Sequence, residues 1–394
     1  MKSGRVGNVL RVSDPLERAA EIFASFDAQL KQELPDGAAL FDAHTHLGND
    51  IDGMSGSPDE LLGILDRYGI SRAFMFCLDE PDRHPAFRAA NDRTLEHAAA
   101  SGGRLIPFVR LDLSEGPIDE ARRCLDRGAK GIKLHPRAQK ILLDDERLAP
   151  VFEVAAERRV PILIHAGRGL PPIADHLARL VERYPEATLI LAHAGIADLS
   201  GLAGNFAGTA GVYFDTSVWS PIDLLSFFRL VPPEQIVYAS DYPYGLQPQS
   251  LLNTLRTARS AGLGEAQIRE LLGGNADRIA NGEEPLEPSE PQGAEVLAQP
   301  MALARIHQYL TMAMASLFAR QQDTFGALGL ALNATNERNG HGEELEQIRE
   351  VLLAARDVWR TLPEAEDDQD ARLIARTSSR LIHLADVLAV TTGE

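Results

Sequence analysis

Eight times between residues 39 and 281 a short apolar run gives way to an amphipathic stretch, and few folds accommodate that alternation. The runs are Ala39 to Ala43, Arg72 to Leu78, Leu105 to Leu111, Gly131 to His135, Val160 to His165, Thr188 to His193, Val212 to Asp215 and Gln235 to Ser240. Each reads as a buried strand. Helical periodicity fills the gaps, as in Pro58 to Tyr68, Ala86 to Ala100, Ile118 to Arg127, Ala149 to Arg158 and Ile173 to Tyr184, with Gly69, Gly102-Gly103 and Gly128 where helices should stop. Strands joined through helices pair in parallel by right-handed crossovers. Eight such units in about 240 residues fit a closed (β/α)8 barrel better than an open doubly wound sheet. The Gly-x-Gly-x-x-Gly turn of the open sheet is also missing.

Flanking segments differ in character. Residues 1–38 read as an N-terminal helical segment, opened by Asp14-Pro15, and residues 39–281 as the barrel. Residues 282–297 are rich in Pro, Glu and Gly and read as a solvated linker. Residues 298–394 read as an all-α domain, a bundle with helices at Pro300 to Arg320, Asp323 to Asn336, Gly342 to Leu362 and Asp368 to Val390. The expected architecture is therefore α/β, a TIM barrel with a C-terminal all-α helical domain. For the bundle we expect a role in homo-oligomer formation or in covering the barrel mouth, and an exposed Leu/Ala/Met face on Met301 to Phe318 would support either.

Charge narrows the partners. A net charge of -18 argues against nucleic acid and against an anionic membrane, leaving a small-molecule substrate as the expected partner. No run approaches the 18 or so apolar residues of a membrane span, the N-terminus has no apolar core of a signal peptide, and a cytoplasmic location is expected. Cys77 and Cys124 lack metal spacing and read as two small buried side chains.

The first strand, Leu40-Phe41-Asp42-Ala43-His44-Thr45-His46, ends in two histidines at i and i+2, which share a face, with Asp42 below them. The fifth strand runs apolar until His165, the sixth until His193, and the eighth ends in Asp241. In a parallel barrel all C-terminal strand ends open on one mouth, so these five residues meet there. Imidazoles with a carboxylate suit a divalent borderline ion, Zn²⁺ first, with Mn²⁺, Co²⁺ or Fe²⁺ as alternatives.

The stretches FDAHTH, KGIKLHP, PILIHAG, LILAHAG, YASDYPYG and LLGGNADRI together resemble the amidohydrolase superfamily. The likeness covers about residues 40 to 281 and is strongest to the amidohydrolase-related (amidohydrolase-2) branch. That branch contains aminocarboxymuconate semialdehyde and γ-resorcylate decarboxylases and several lactonases with carboxylate substrates. The resemblance implies His44, His46 and His165 as metal ligands, Asp241 as ligand or holder of the nucleophilic water, and His193 as the second-sphere acid/base, a ligand in some branches. Catalysis is thus expected of His193 and Asp241. Lys133 and His135 share the inward face of the fourth strand. Binuclear relatives carry a carboxylated lysine there, but recognition of a substrate carboxylate suits this pair better; a lysine satisfied by carboxylates such as Asp42 is the structural alternative. Asp215 at the end of strand seven, Arg110 near the end of strand three, Trp219, Tyr242 and Tyr244 are candidate pocket residues. His84, His97, His176, His307, His341 and His383 have no companions at ligand spacing and read as surface or helix-face histidines.

The expected function is that of a metal-dependent hydrolase, using a metal-activated water to cleave an amide, lactone or ester-type bond of a small anionic molecule. A nonoxidative decarboxylase on the same site is the alternative. The 11 residues from Leu47 to Ser57 weigh toward hydrolysis, since the decarboxylases of this branch decorate their barrels with longer insertions. A scaffold or regulatory protein acting through the C-terminal helices is the rival from another class.

Overall fold

The computed structural model describes residues 13–292, 299–318, 324–337 and 341–392. The last part of the expected linker, 293–297, and the helix ends at 319–320 and 323 lie outside these. The chain divides into two compact units, Leu34–Glu295 and a second made of Met1–Glu33 with Val296–Glu394.

In the first unit, β1 (Leu40–Asn49), β2 (Ile70–Cys77), β3 (Leu105–Arg110), β4 (Gly131–Leu134), β5 (Ile162–Ile164), β6 (Leu189–Leu191), β7 (Val212–Asp215) and β8 (Ile236–Val237) pair in parallel, each with the next. A two-residue strand, Ser55–Gly56, folds back antiparallel on the end of β1. The sheet closes where Ala43 N–H donates to Tyr238 O (2.8 Å) and His46 N–H to Tyr242 O (2.7 Å). All eight expected strands are present, giving the (β/α)8 barrel.

The barrel interior is built from Phe41, Ala43, Phe74, Phe76, Phe108, Leu163, Ile190, Ala192, Tyr213 and Val237, with Ala276 and Ile279 of the helix Asn275–Asn281 against the same cluster. Aromatic rings fill volume that aliphatic side chains would leave partly empty. Gly131 is what lets β4 approach them, since a Cβ there would lie 2.5 Å from the Phe108 ring.

The second unit is helical. Helices Met301–Phe318, Thr324–Ala334, Gly342–Arg360 and Asp368–Thr391 are joined by the N-terminal helix Ser13–Glu33, so the first helix of the chain belongs with the last ones. Arg380 lies 4.4 Å over the Phe23 ring, and Arg18 pairs with Glu350. Along Met301–Phe318, Ala302, Leu303, Ile306, Leu310 and Ala313 are buried, while Met301 and Met312 are exposed. Among the described residues no helix is long and apolar enough to cross a membrane. Both cysteines are buried thiols.

Candidate metal centre

Strand β1 positions the site, though not by simple alternation. Its register against β2 slips between Asp42 and Thr45. Phe41 and Ala43 therefore face the interior below the slip, His44 and His46 gather at the mouth above it, and Asp42 points to the other side, against Gln247. The expectation that Asp42 projects with the two histidines is overturned by this irregularity. So is Asp42 as a partner for Lys133: its carboxylate is taken by the His44 and Ser240 amides and the Gln247 carboxamide.

Three donor atoms converge at the mouth. His44 Nε2 and His46 Nε2 are 3.1 Å apart, and each is 3.2 Å from Asp241 Oδ1. Four ligands at about 2.0–2.1 Å in a tetrahedron stand about 3.3 Å from one another, so the spacing suits one small divalent ion. His193 belongs to the same group: a ring nitrogen of His193, one of His44 and an Asp241 oxygen lie within 4.8 Å of one another. Asp241 reaches the mouth from a left-handed backbone (φ 60°), a strained conformation for a residue with a side chain.

The protons are set from outside the donor group. His44 Nδ1 lies 2.7 Å from Asp215 Oδ2; a carboxylate only accepts, so Nδ1 carries the hydrogen and Nε2 keeps its lone pair. His193 Nδ1 lies 3.0 Å from Ser217 O and so donates as well, which turns its Nε2 lone pair toward His165 Nδ1, 3.0 Å away. His165 is then left with a bare Nε2, buried and without a hydrogen-bond partner among the described residues. Gly167 permits this packing, because a Cβ there would meet both the His165 and His193 rings at 2.9 Å. By distance His193 stands with His44 and Asp241, and His165 adjoins through it.

Burial lowers the pKa values of His44, His46 and His165, which keeps the imidazoles in the neutral form that binds a cation. At Asp241 burial opposes ionisation, but His44 and His46 beside it bring the carboxyl down to about 2. With the His44 Nε2 lone pair facing an anionic oxygen and His46 Nε2 close to both, the atoms form a set suited to a cation.

Around this core, Lys133 Nζ is 3.4 Å from His44 Nε2 and 4.7 Å from the centre of the Phe76 ring, and burial lowers its pKa to about 7. His135 stacks on His165 at 4.0 Å, and its Nδ1 accepts from Ala138 N–H (3.2 Å). Arg110 is level with Lys133 on the adjoining strand and only 2% exposed. Its guanidinium lies 4.6 Å from the Phe87 ring and 3.7 Å from Asp79, while Nε and Nη2 have no hydrogen-bond partner among the described residues.

Asp215, expected at the pocket wall, is fully buried, with Oδ2 on His44 and Oδ1 accepting from His193 N–H, Ser217 N–H and the Ser217 hydroxyl. Trp219 is partly exposed. Tyr242 is buried, and a Cβ on Gly56 would come within 2.8 Å of its ring, whereas Tyr244 turns its ring edge to His46 (5.9 Å). Ser217 and Gln247 went unread in the sequence, where a serine after a strand and a glutamine opening a helix carry no chemical pattern. Among the histidines read as isolated, His84 has a companion after all: it is exposed and lies 3.1 Å from Glu115, near Asp112. His307 pairs with Asp386 at 2.7 Å in the helical unit.

The search of curated proteins finds no match. Among solved structures, the chain is similar to a 5-carboxyvanillate decarboxylase from Novosphingobium aromaticivorans complexed with manganese (15% identity, TM-score 0.49, covering 62% of this chain and 96% of that one). It is similar to a putative 2-pyrone-4,6-dicarboxylic acid hydrolase from Pseudomonas putida (18%, 0.49, 62% and 98%). It is similar also to a putative amidohydrolase from Staphylococcus aureus (18%, 0.48, 62% and 99%). The model of the amidohydrolase-2 family, described as amidohydrolase, matches residues 41–279. That span is more than half of the chain and holds every member of the candidate centre, and the protein belongs to this family of metal-dependent enzymes.

Proposed function

We propose that the protein is a metal-dependent hydrolase that cleaves an amide, lactone or ester-type bond in a small anionic molecule. The mutual 3.1–3.2 Å spacing of His44 Nε2, His46 Nε2 and Asp241 Oδ1 supports the metal dependence of this reading, and the short Leu47–Ser57 segment weighs toward hydrolysis. Zn²⁺ suits a set of imidazoles with one carboxylate, and two buried free thiols fit a reducing cytoplasmic setting. A bound divalent ion supplies a Lewis acid for a carbonyl oxygen and brings the pKa of a bound water toward neutrality.

The chain's own residues do the rest. His44, His46 and Asp241 would hold the ion with the bare Nε2 of His165 as a further donor, while His193, its Nδ1 fixed on Ser217, would take and return the proton at Nε2 once that atom exchanges the His165 Nδ1–H for the reacting group. Arg110 supports an anionic substrate, because its buried Nε and Nη2 have no hydrogen-bond acceptor among the described residues and its ion-pair partner Asp79 stands 3.7 Å away, beyond hydrogen-bond reach. The division between the two histidines is testable. His165→Ala should lose most of the bound metal, whereas His193→Ala should keep it, measured by elemental analysis, and lose activity by about 10²–10⁴-fold. The reverse pattern would make His193 the ligand.

The reaction itself is decided by incubating the protein with lactones, amides and aromatic carboxylates and following acid release against CO2 release. Acid from a lactone or amide is expected, and Arg110→Met should raise KM for anionic members by about 10- to 100-fold with a smaller change in kcat. Release of CO2 instead would make the protein a decarboxylase.

A further inference from the structure

The seam that closes the barrel does not follow regular parallel pairing. Ala43 N–H reaches Tyr238 O, but the next bond across the seam runs from Asp241 N–H to His44 O (2.9 Å), so Ala239 and Ser240 bulge out between them. A bulge frees backbone amides, and every buried amide needs an acceptor. Side chains supply them: Thr216 Oγ1 accepts from Ala239 N–H (3.0 Å), Asp42 Oδ1 from Ser240 N–H (3.0 Å) and Ser240 Oγ from Tyr242 N–H (3.0 Å). The same Asp42 oxygen accepts from His44 N–H (3.2 Å). One carboxylate oxygen thus ties the residue before Asp241 to His44 itself.

Its other oxygen is tied as well. Gln247 Nε2 donates to Asp42 Oδ2 (3.1 Å) and to Ser240 Oγ (3.1 Å), and Gln247 is itself fully buried at the start of the helix Gln247–Ser260. A carboxylate at 0% exposure is costly to bury, and nothing in the barrel's packing requires one at this position. What does require an acceptor here is the set of three N–H donors converging on it, two of them backbone amides on one oxygen.

We propose that Asp42, braced by Gln247, is the positioning residue that sets the separation of His44 and Asp241. It holds the strained Asp241 turn against β1, so the two donor atoms stay 3.2 Å apart whether or not a cation lies between them. The assignment rests on the metal-centre reading above and adds to it a residue that touches neither ion nor substrate. An asparagine at position 42 should serve nearly as well. Its Oδ1 keeps both amides, and its NH2 finds Gln247 Oε1 once that carboxamide reverses, since Oε1 now has no partner among the described residues.

The test uses full-length protein stripped of metal and titrated with Co²⁺ against a chromophoric chelator, at a temperature where each variant shows native circular dichroism. Asp42→Ala should weaken Co²⁺ binding by about 10- to 100-fold and alter the visible Co²⁺ spectrum, while Asp42→Asn stays within about threefold of wild type. A merely structural role would lower the melting temperature and leave Co²⁺ affinity and spectrum of the folded protein unchanged, which overturns the proposal. Should Asp42→Ala not fold, Gln247→Met decides: weakening by about three- to tenfold supports the brace, and wild-type affinity overturns it. Wild type that takes up no Co²⁺ would overturn the metal-centre reading and this assignment with it, whereas tight binding by Asp42→Ala overturns the assignment alone.

Discussion

Full-length protein reloaded with Zn²⁺ or Mn²⁺ should hold about one equivalent per chain, and His44→Ala/His46→Ala less than about a tenth of that, with activity on any substrate down by at least about 10³-fold. Two of the three mutually adjacent donor atoms vanish in this variant, leaving Asp241 Oδ1 without its two neighbouring ligand nitrogens. Elemental analysis after dialysis, with circular dichroism to confirm the fold, reads the outcome. Retention of half an equivalent or more would locate the ion away from β1, on His135, His165 and His193.

Why the double substitution could be designed from sequence, and the next one could not, is a matter of distance along the chain. The strands announce themselves locally: Ile162-Leu163-Ile164 and Leu189-Ile190-Leu191 are apolar runs, and parallel pairing brings their C-terminal ends to one mouth whatever the loops do. Histidines at those ends are thus placed by the fold class alone. Partnerships across the barrel are not. Asp215 and His44 are 171 residues apart, and only the register of seven strands decides that they touch. Asp42 reads as facing the mouth because period-2 alternation is the default for a strand, and the slip in β1 that reverses it has no glycine or proline to mark it. The N-terminal helix gives no sign that it belongs with helices more than 300 residues later, since an amphipathic stripe specifies that a face is buried but not against what.

Asp215→Asn is the substitution expected to separate shape from proton placement. It changes one oxygen to NH2 and almost no volume. Oδ1 of Asp215 accepts from two backbone amides, His193 N–H at 2.8 Å and Ser217 N–H at 3.0 Å, and neither donor can turn away. The asparagine oxygen must stay there, so its NH2 is forced onto His44 Nδ1, where Oδ2 now accepts at 2.7 Å. To receive that donor, His44 has to shift its hydrogen from Nδ1 to Nε2, the nitrogen that faces His46 and Asp241. A ligand nitrogen carrying a proton cannot bind an ion, so metal affinity should fall by about 100-fold and activity by about 10²–10⁴-fold, as when an orienting carboxylate elsewhere is made an amide. Asp215→Ala differs in kind: it leaves four donors without an acceptor, costing about 1–3 kcal/mol each if none is rehydrated, and its main effect should be on folding. Calorimetric metal titration and thermal melts of both variants read the contrast. If Asp215→Asn binds metal as tightly as wild type while melting normally, the His44 tautomer is not what this carboxylate sets, and Asp215 would be left with the backbone of His193 and Ser217 as its only task.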